Sequence, residues 1–113
     1  MSQTHPLTTT AFDLPGYRVT KSFGVVRGII VRSRSIVGNI GASMRTVFGG
    51  EAKGYTKLLA DSREEAIARM RHEANLRGAN AVIAFRFDGG EIADMMSEVA
   101  AYGTAVKIRP RTP

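Results

Sequence analysis

The chain has 113 residues, a formal net charge of +6, 43% hydrophobic and 23% charged residues, and no cysteine. That is one domain of ordinary globular composition. It excludes disulfides, thiolate zinc sites and cysteine nucleophiles, and fits a reducing, cytoplasmic setting. No apolar stretch approaches the roughly 20 residues a membrane span needs, and MSQTHPLTTT lacks the basic-then-apolar order of a secretory leader.

In chain order, residues 1–16 read as a flexible N-terminal segment, 17–109 as a single α/β domain and 110–113 as a tail. Pro15-Gly16 is a turn signal. YRVTKSFGVVRGIIVR, 17–32, reads as extended. Tyr17, Val19, Phe23, Val25, Ile29 and Val31 share one parity, and Arg18, Thr20, Ser22 and Arg32 the other. Gly24 and Gly28 interrupt this pattern and predict a bulge, a bend or two consecutive strands. Lys21 and Arg27 break the apolar parity.

Ile36, Ile40, Met44, Val47 and Phe48 then recur at helical spacing, and Gly49-Gly50 ends the segment. Gly38 and Gly41 weaken an isolated helix by about 1 kcal/mol each. The segment is expected to hold only if they admit another backbone closely.

Glu51–Arg77 carries the clearest helical stripe: Tyr55, Leu58, Leu59, Ala66, Ile67, Met70 and Ala74. Arg63, Glu64, Arg71, Glu73 and Arg77 fall mostly away from it. Glu65 and Arg69 form an i,i+4 pair. Ser62-x-x-Glu65 resembles a capping box, but the stripe stays in phase across Asp61, so a continuous helix ending at Gly78 is predicted. Asn80–Asp88 reads as a buried strand, 89–96 (GGEIADMM) as an acidic loop and Ser97–Arg109 as a strand antiparallel to the previous one. Gly103 marks a close backbone approach or a bulge.

No catalytic constellation is present. There are two histidines, His5 and His72, without H-x-x-x-H spacing, and neither a Ser-His-Asp order nor a nucleophile elbow occurs. Metal binding would have to use the loop carboxylates Asp88, Glu91, Asp94 and Glu98 or the methionines 44, 70, 95 and 96. The carboxylate spacing is not that of a calcium loop, and methionine more commonly fills cores. GGEAKG before the helix could offer backbone N–H groups and Lys53 to an anion, but it is no Walker A motif.

The excess charge lies wholly in the first half, on Arg18, Lys21, Arg27, Arg32, Arg34, Arg45, Lys53 and Lys57 against Asp13 and Glu51. That allows an anion or nucleic-acid partner. No aromatic stacking platform accompanies the charges, which disfavours nucleic acid.

GGEAKGYTKLL at 49–59, EANLRGANAVIAFRFD at 73–88 and SEVAAYGTAVKI at 97–108 resemble the YbjQ-like family of small bacterial and archaeal proteins, often labelled a heavy-metal-binding domain. RSIVGNIGASMRTVFGG, 34–50, is similar to that family's glycine-interrupted segment, with Arg45 at the place of a recurrent arginine. The resemblance implies a two-layer α/β (α+β) subunit of dodecin-like type, with an antiparallel sheet packed on one long and one short helix. It also implies assembly as a homopentamer. Ile36, Gly38, Ile40, Gly41, Met44, Arg45, Phe48, Gly49, Gly50 and Tyr55 are the interface expected on that basis. No catalytic residue, cofactor or metal ligand transfers to this chain. The expected protein is a cytoplasmic homo-oligomer serving as a scaffold or small-ligand binder. The alternatives are metal binding through 88–98 and the methionines, or anion or nucleic-acid binding through the basic half.

Overall fold

The computed structural model describes residues 6–33, 53–93 and 96–112. Strand β1 is Leu7–Thr8, β2 Tyr17–Ser33, helix α1 Lys53–Leu76, β3 Ala81–Ala93 and β4 Met96–Pro110. The strands form one sheet in the order β1-β3-β4-β2, with α1 laid on one face. β2 and β3 are each antiparallel to β4, while the short β1 runs parallel to β3. This is the two-layer α+β arrangement expected. Its short helix would fall at 36–48, outside the described residues.

Residues 6–16 lie along β3 and lead into β2. Leu14-Pro15-Gly16-Tyr17 is a type II turn: Gly16 has φ 84°, and the Tyr17 N–H donates to the Leu14 carbonyl at 3.0 Å. The preceding stretch runs along β3, where the Ala84 and Phe85 N–H groups donate to the carbonyls of Ala11 and Thr9. These bonds close a bulge between Ile83 and Arg86, in which Ala84 takes φ 54°. Gly103 lies opposite. A Cβ built there would stand 2.6 Å from Val82 Cγ1 and 3.0 Å from the Ile83 carbonyl oxygen, the close approach predicted.

β2 contains two register breaks, between Val19 and Lys21 and between Ser22 and Gly24, where Gly24 has φ 85°. Each break shifts the strand's parity by one residue. The single apolar parity read from the sequence is therefore corrected. Phe23 joins the core under the helix, whereas Val25, Ile29 and Val31 lie on the opposite face and are exposed. The residues beneath α1 are Val26, Gly28 and Ile30.

The helix is continuous across Asp61, as the stripe implied. Its buried line is Ser62, Ala66, Met70 and Ala74, one residue per turn and mostly small. Leu59, placed in the stripe by sequence, is 45% exposed. Small residues bring the helix against the strand at Gly28: a Cβ there would lie 2.5 Å from the Met70 backbone N and closer still to the Ala66 carbonyl oxygen. Ser62 is no N-cap; it is buried and accepts a hydrogen bond from Arg32 Nε at 3.2 Å. Glu65 bonds both Arg32 and Arg69. At the other end, the Ala79 N–H donates to Ala74 O and the Gly78 N–H to Asn75 O, a Schellman ending around Gly78 at φ 89°.

The acidic loop expected at 89–96 is also corrected. Gly89–Ala93 belongs to β3 and Met96 opens β4, so the two strands continue as one long hairpin, with Gly90 paired to Glu98 and Ala93 to Met96. Pairing along β4 outweighs the low strand propensity of Gly89-Gly90. Of the strand expected to be buried at 80–88, only Ala81 and Val82 are; Arg86, Phe87 and Asp88 are exposed.

Candidate functional site: the uncovered sheet face

The two faces of the sheet are finished differently. Beneath α1, Val26, Ile30, Ala66, Met70, Ala74, Val82, Ala101 and Ala105 form the main core, flanked by Phe85 and Val99. On the opposite face a second cluster of Ala81, Val106 and Ile108 is covered at one end by Leu14 and Tyr17. The turn at Pro15-Gly16 thus folds a lid over one end only.

Among the described residues nothing covers the rest of that face. Three rows of paired residues cross it: Arg27–Tyr102–Arg86, Ile29–Ala100–Asp88 and Val31–Glu98–Gly90. Val25, Arg27, Ile29, Asp88, Glu98, Ala100 and Tyr102 line a shallow hollow of about 240 Å³. Val25 is 53%, Val31 46%, Tyr102 40% and Ile29 37% exposed. A cation at one side of the hollow and two carboxylates at the other flank an apolar middle.

The free edge of β2 is closed. Arg77 Nη1 donates to the carbonyls of Phe23 and Val25 at 3.1 and 3.0 Å, and Arg69 Nη1 donates to that of Ile29 at 2.9 Å. Glu73 accepts from the Arg27 N–H at 3.4 Å and pairs with Arg77 at 2.8 Å. Read from sequence, Glu73 and Arg77 sit on the helix's solvent side. In the fold these side chains reach down one helix edge and occupy the backbone groups that another strand would use. The i, i+4, i+8 spacing of Arg69, Glu73 and Arg77 was the available signal, and only the register of helix on strand gives it meaning.

The expected interface residues Ile36, Gly38, Ile40, Gly41, Met44, Arg45, Phe48, Gly49 and Gly50 lie outside the described residues, as does the side chain of Tyr55. Of the metal candidates, Met70 is fully buried in the core and His72 is exposed. Asp88 and Glu98 face the hollow, while Asp94, Met95 and the side chains of Glu91 and Met96 lie outside the described residues. Among the described residues no three His, Asp or Glu side chains gather to hold a metal ion, and no helix is long and apolar enough to cross a membrane.

A two-layer α+β fold, one sheet face of which the described residues leave largely bare, is thus defined by its geometry. The chain belongs to the YbjQ family: residues 6–109 match the family model described as "Putative heavy-metal-binding". It is 55% identical over 101 residues to a UPF0145 protein of Burkholderia thailandensis, covering 89% of this chain and 91% of that one. Against a UPF0145 protein of Burkholderia mallei the identity is 54% over the same coverage. A crystal structure of a protein of unknown function of the DUF74 family from Pediococcus pentosaceus superimposes with a TM-score of 0.60 at 16% identity, covering 92% of this chain and 98% of that one. The matched region starts at residue 6, so it takes in β1 and the Pro15-Gly16 turn. Among the described residues the heavy-metal description finds no counterpart: their carboxylates and His72 form no ligand cluster, Met70 is buried in the core, and the chain has no cysteine.

Proposed function

We propose that this protein works as a homo-oligomeric, non-catalytic subunit in the cytoplasm, a scaffold or small-ligand binder whose bare sheet face is covered by another copy of the chain. The observation that carries this reading is the apolar surface at Val25, Ile29, Val31 and Tyr102 on the face opposite α1. An antiparallel sheet with one wet face alternates apolar and polar residues, whereas a strand covered on both faces is apolar throughout. VVRGIIV at 25–31, broken by the single charge of Arg27, is nearer the second kind.

Charge supports self-association. Arg27 lies across the hollow from Asp88 and Glu98, and among the described residues no ion pair uses either carboxylate. A second copy, turned over, sets its own Arg27 against them. Since Arg69, Glu73 and Arg77 block the β2 edge, the copies meet face to face and not strand to strand. The pentamer implied by the family resemblance, and the glycine-spaced stretch around Gly38 and Gly41 as a second contact, belong to the same proposal.

Size-exclusion chromatography with light scattering tests it. The wild-type chain is expected to run as a discrete oligomer, pentameric on the family reading, and Val25→Glu with Ile29→Glu as a folded monomer. A wild type that stays monomeric at micromolar concentration, or an unaltered mass in the double variant, defeats the proposal.

A further inference from the structure

The sheet extends past the end of α1, and the charged residues paired in its β2–β4 ladder there are all cations. Arg18 pairs directly with Arg109 across the β2–β4 ladder, and Lys21 with Lys107. Ile108 and Val106 point to the opposite face, into the second cluster, so strand alternation puts Arg109 and Lys107, with Arg18 and Lys21, on the helix side. Arg111 adds a fifth charge: its Nε donates to the Tyr17 carbonyl at 3.0 Å, and with Arg18 and Thr112 it borders a hollow of about 330 Å³. Arg18 and Arg109 border an adjoining hollow of about 410 Å³ with Pro110 and Thr112.

Like charges directly opposite in a ladder destabilise it, and here two consecutive pairs do so. All five side chains are exposed. Among the described residues no carboxylate pairs with any of them; the described ion pairs all lie along α1. Lys21 stacks over Phe23 at 5.1 Å, and the helix end contributes its negative dipole only near Phe23. Arg18, Arg109 and Arg111 lie farther along the sheet. The sequence hides the cluster by halves: Lys107, Arg109 and Arg111 come from the half whose net charge is zero, and folding sets them beside Arg18 and Lys21.

We infer that this end of the sheet is a binding site for a compact polyphosphate group, free or carried by a small molecule. Paired residues sit about 5 Å apart across strands, and successive same-face residues about 7 Å apart along a strand. Four or five cations in so small an area match the charge density of two or three linked phosphates, which guanidinium groups bind in bidentate fashion. A nucleic-acid track needs an extended groove and stacking rings. Here the ring beside the cluster, Phe23, lies under Lys21 and against the core. The site faces away from the surface proposed for self-association, so the two readings stand or fall separately.

The test titrates the full chain with inorganic tripolyphosphate by calorimetry at low salt, with thermal melting in parallel. Saturable binding that raises the melting temperature and weakens as salt rises is expected. Arg109→Glu is expected to lower affinity at least about tenfold while leaving the melting temperature unchanged or higher, because it replaces a repulsive pair with an attractive one. Should that variant not fold, Arg18→Gln with Lys107→Gln gives the same reading. Three results would overturn the inference: no binding, undiminished affinity in the variants, or tighter binding to single-stranded oligonucleotides that grows with their length.

Discussion

Neighbouring residues of one strand meet opposite fates in this protein. Val26 and Ile30 are 0% and 3% exposed under the helix, while Val25 and Ile29, one step away on the other face, are 53% and 37% exposed. Their chemistry is the same; only the covering differs. The lesson is that a strand's apolar content has to be counted on both faces. α1 accounts for one of them, residues 14–17 close the end of the other, and what the described residues leave bare is the surface proposed for a second copy.

The covered face is where the largest effect is expected. Gly28→Ala places a methyl group against the backbone of α1 at Ala66 and Met70. Backbone cannot swing aside as a side chain does, so helix and strand must separate. A loss of about 3 kcal/mol or more is expected in chemical denaturation. If the variant kept wild-type stability, the close crossing at Gly28 would be wrong. Gly24, with open space around it but φ 85°, is expected to lose only about 1 kcal/mol as alanine.

Truncation at adjacent positions compares the faces directly. Val26→Ala empties part of the core and costs about 2 kcal/mol at any protein concentration. Val25→Ala removes the same atoms from the open face. It is expected to cost almost nothing in dilute monomer and, on the proposed assembly, to cost more with concentration as a second copy fills that face. Denaturation at two widely spaced concentrations separates them. Equal, concentration-independent losses would make the outer face an ordinary solvent surface.

What the sequence disclosed and what it hid divide along the same line. Local signals were readable: the Pro15-Gly16 turn, the Gly78 ending, the in-phase helix across Asp61 and the tight contact at Gly103 all follow from one residue's conformational freedom or from helical phase. Facing was not readable. Two bulges near Thr20 and Phe23 move the strand in and out of phase, and periodicity counted over 17–32 averages across them. Gly89-Gly90 reads as loop by composition because its strand character comes only from pairing with Val99 and Glu98. Glu73 and Arg77 read as solvated because nothing local says that β2's carbonyls run beside them. The bare face itself is written in VVRGIIV, while the interface residues expected between 36 and 55 lie outside the described residues but for the backbone of Tyr55.

The edge of β2 offers a smaller effect. Arg77→Ala deletes two hydrogen bonds to strand carbonyls and the ion pair with Glu73. Those carbonyls can turn to water, so the loss is about 1 kcal/mol. The informative readout is association. With the edge opened, heterogeneous aggregates joined strand to strand are expected beside the proposed oligomer, visible as polydispersity in light scattering. A variant with unchanged polydispersity and unchanged stability removes the capping role assigned to this arginine.

The smallest effect carries an unusual sign. Ala84 holds φ 54° in the β3 bulge, a left-handed conformation that costs an alanine about 1 kcal/mol or slightly more. Glycine at 84 relieves that strain and gives back part of the gain, because it frees the unfolded chain by about 0.4–1 kcal/mol. The net expectation is a stabilisation of about 0.5 kcal/mol, read as a small rise in melting temperature. The same exchange at Ala81, three residues earlier in regular strand and fully buried, costs about 1 kcal/mol, since no strain is released and a packed methyl is lost. Opposite signs for one substitution at two sites in one strand locate the bulge. Losses at both would mean that Ala84 sits in regular strand, and the parity that aims Asp88 at the bare face would have to be redrawn.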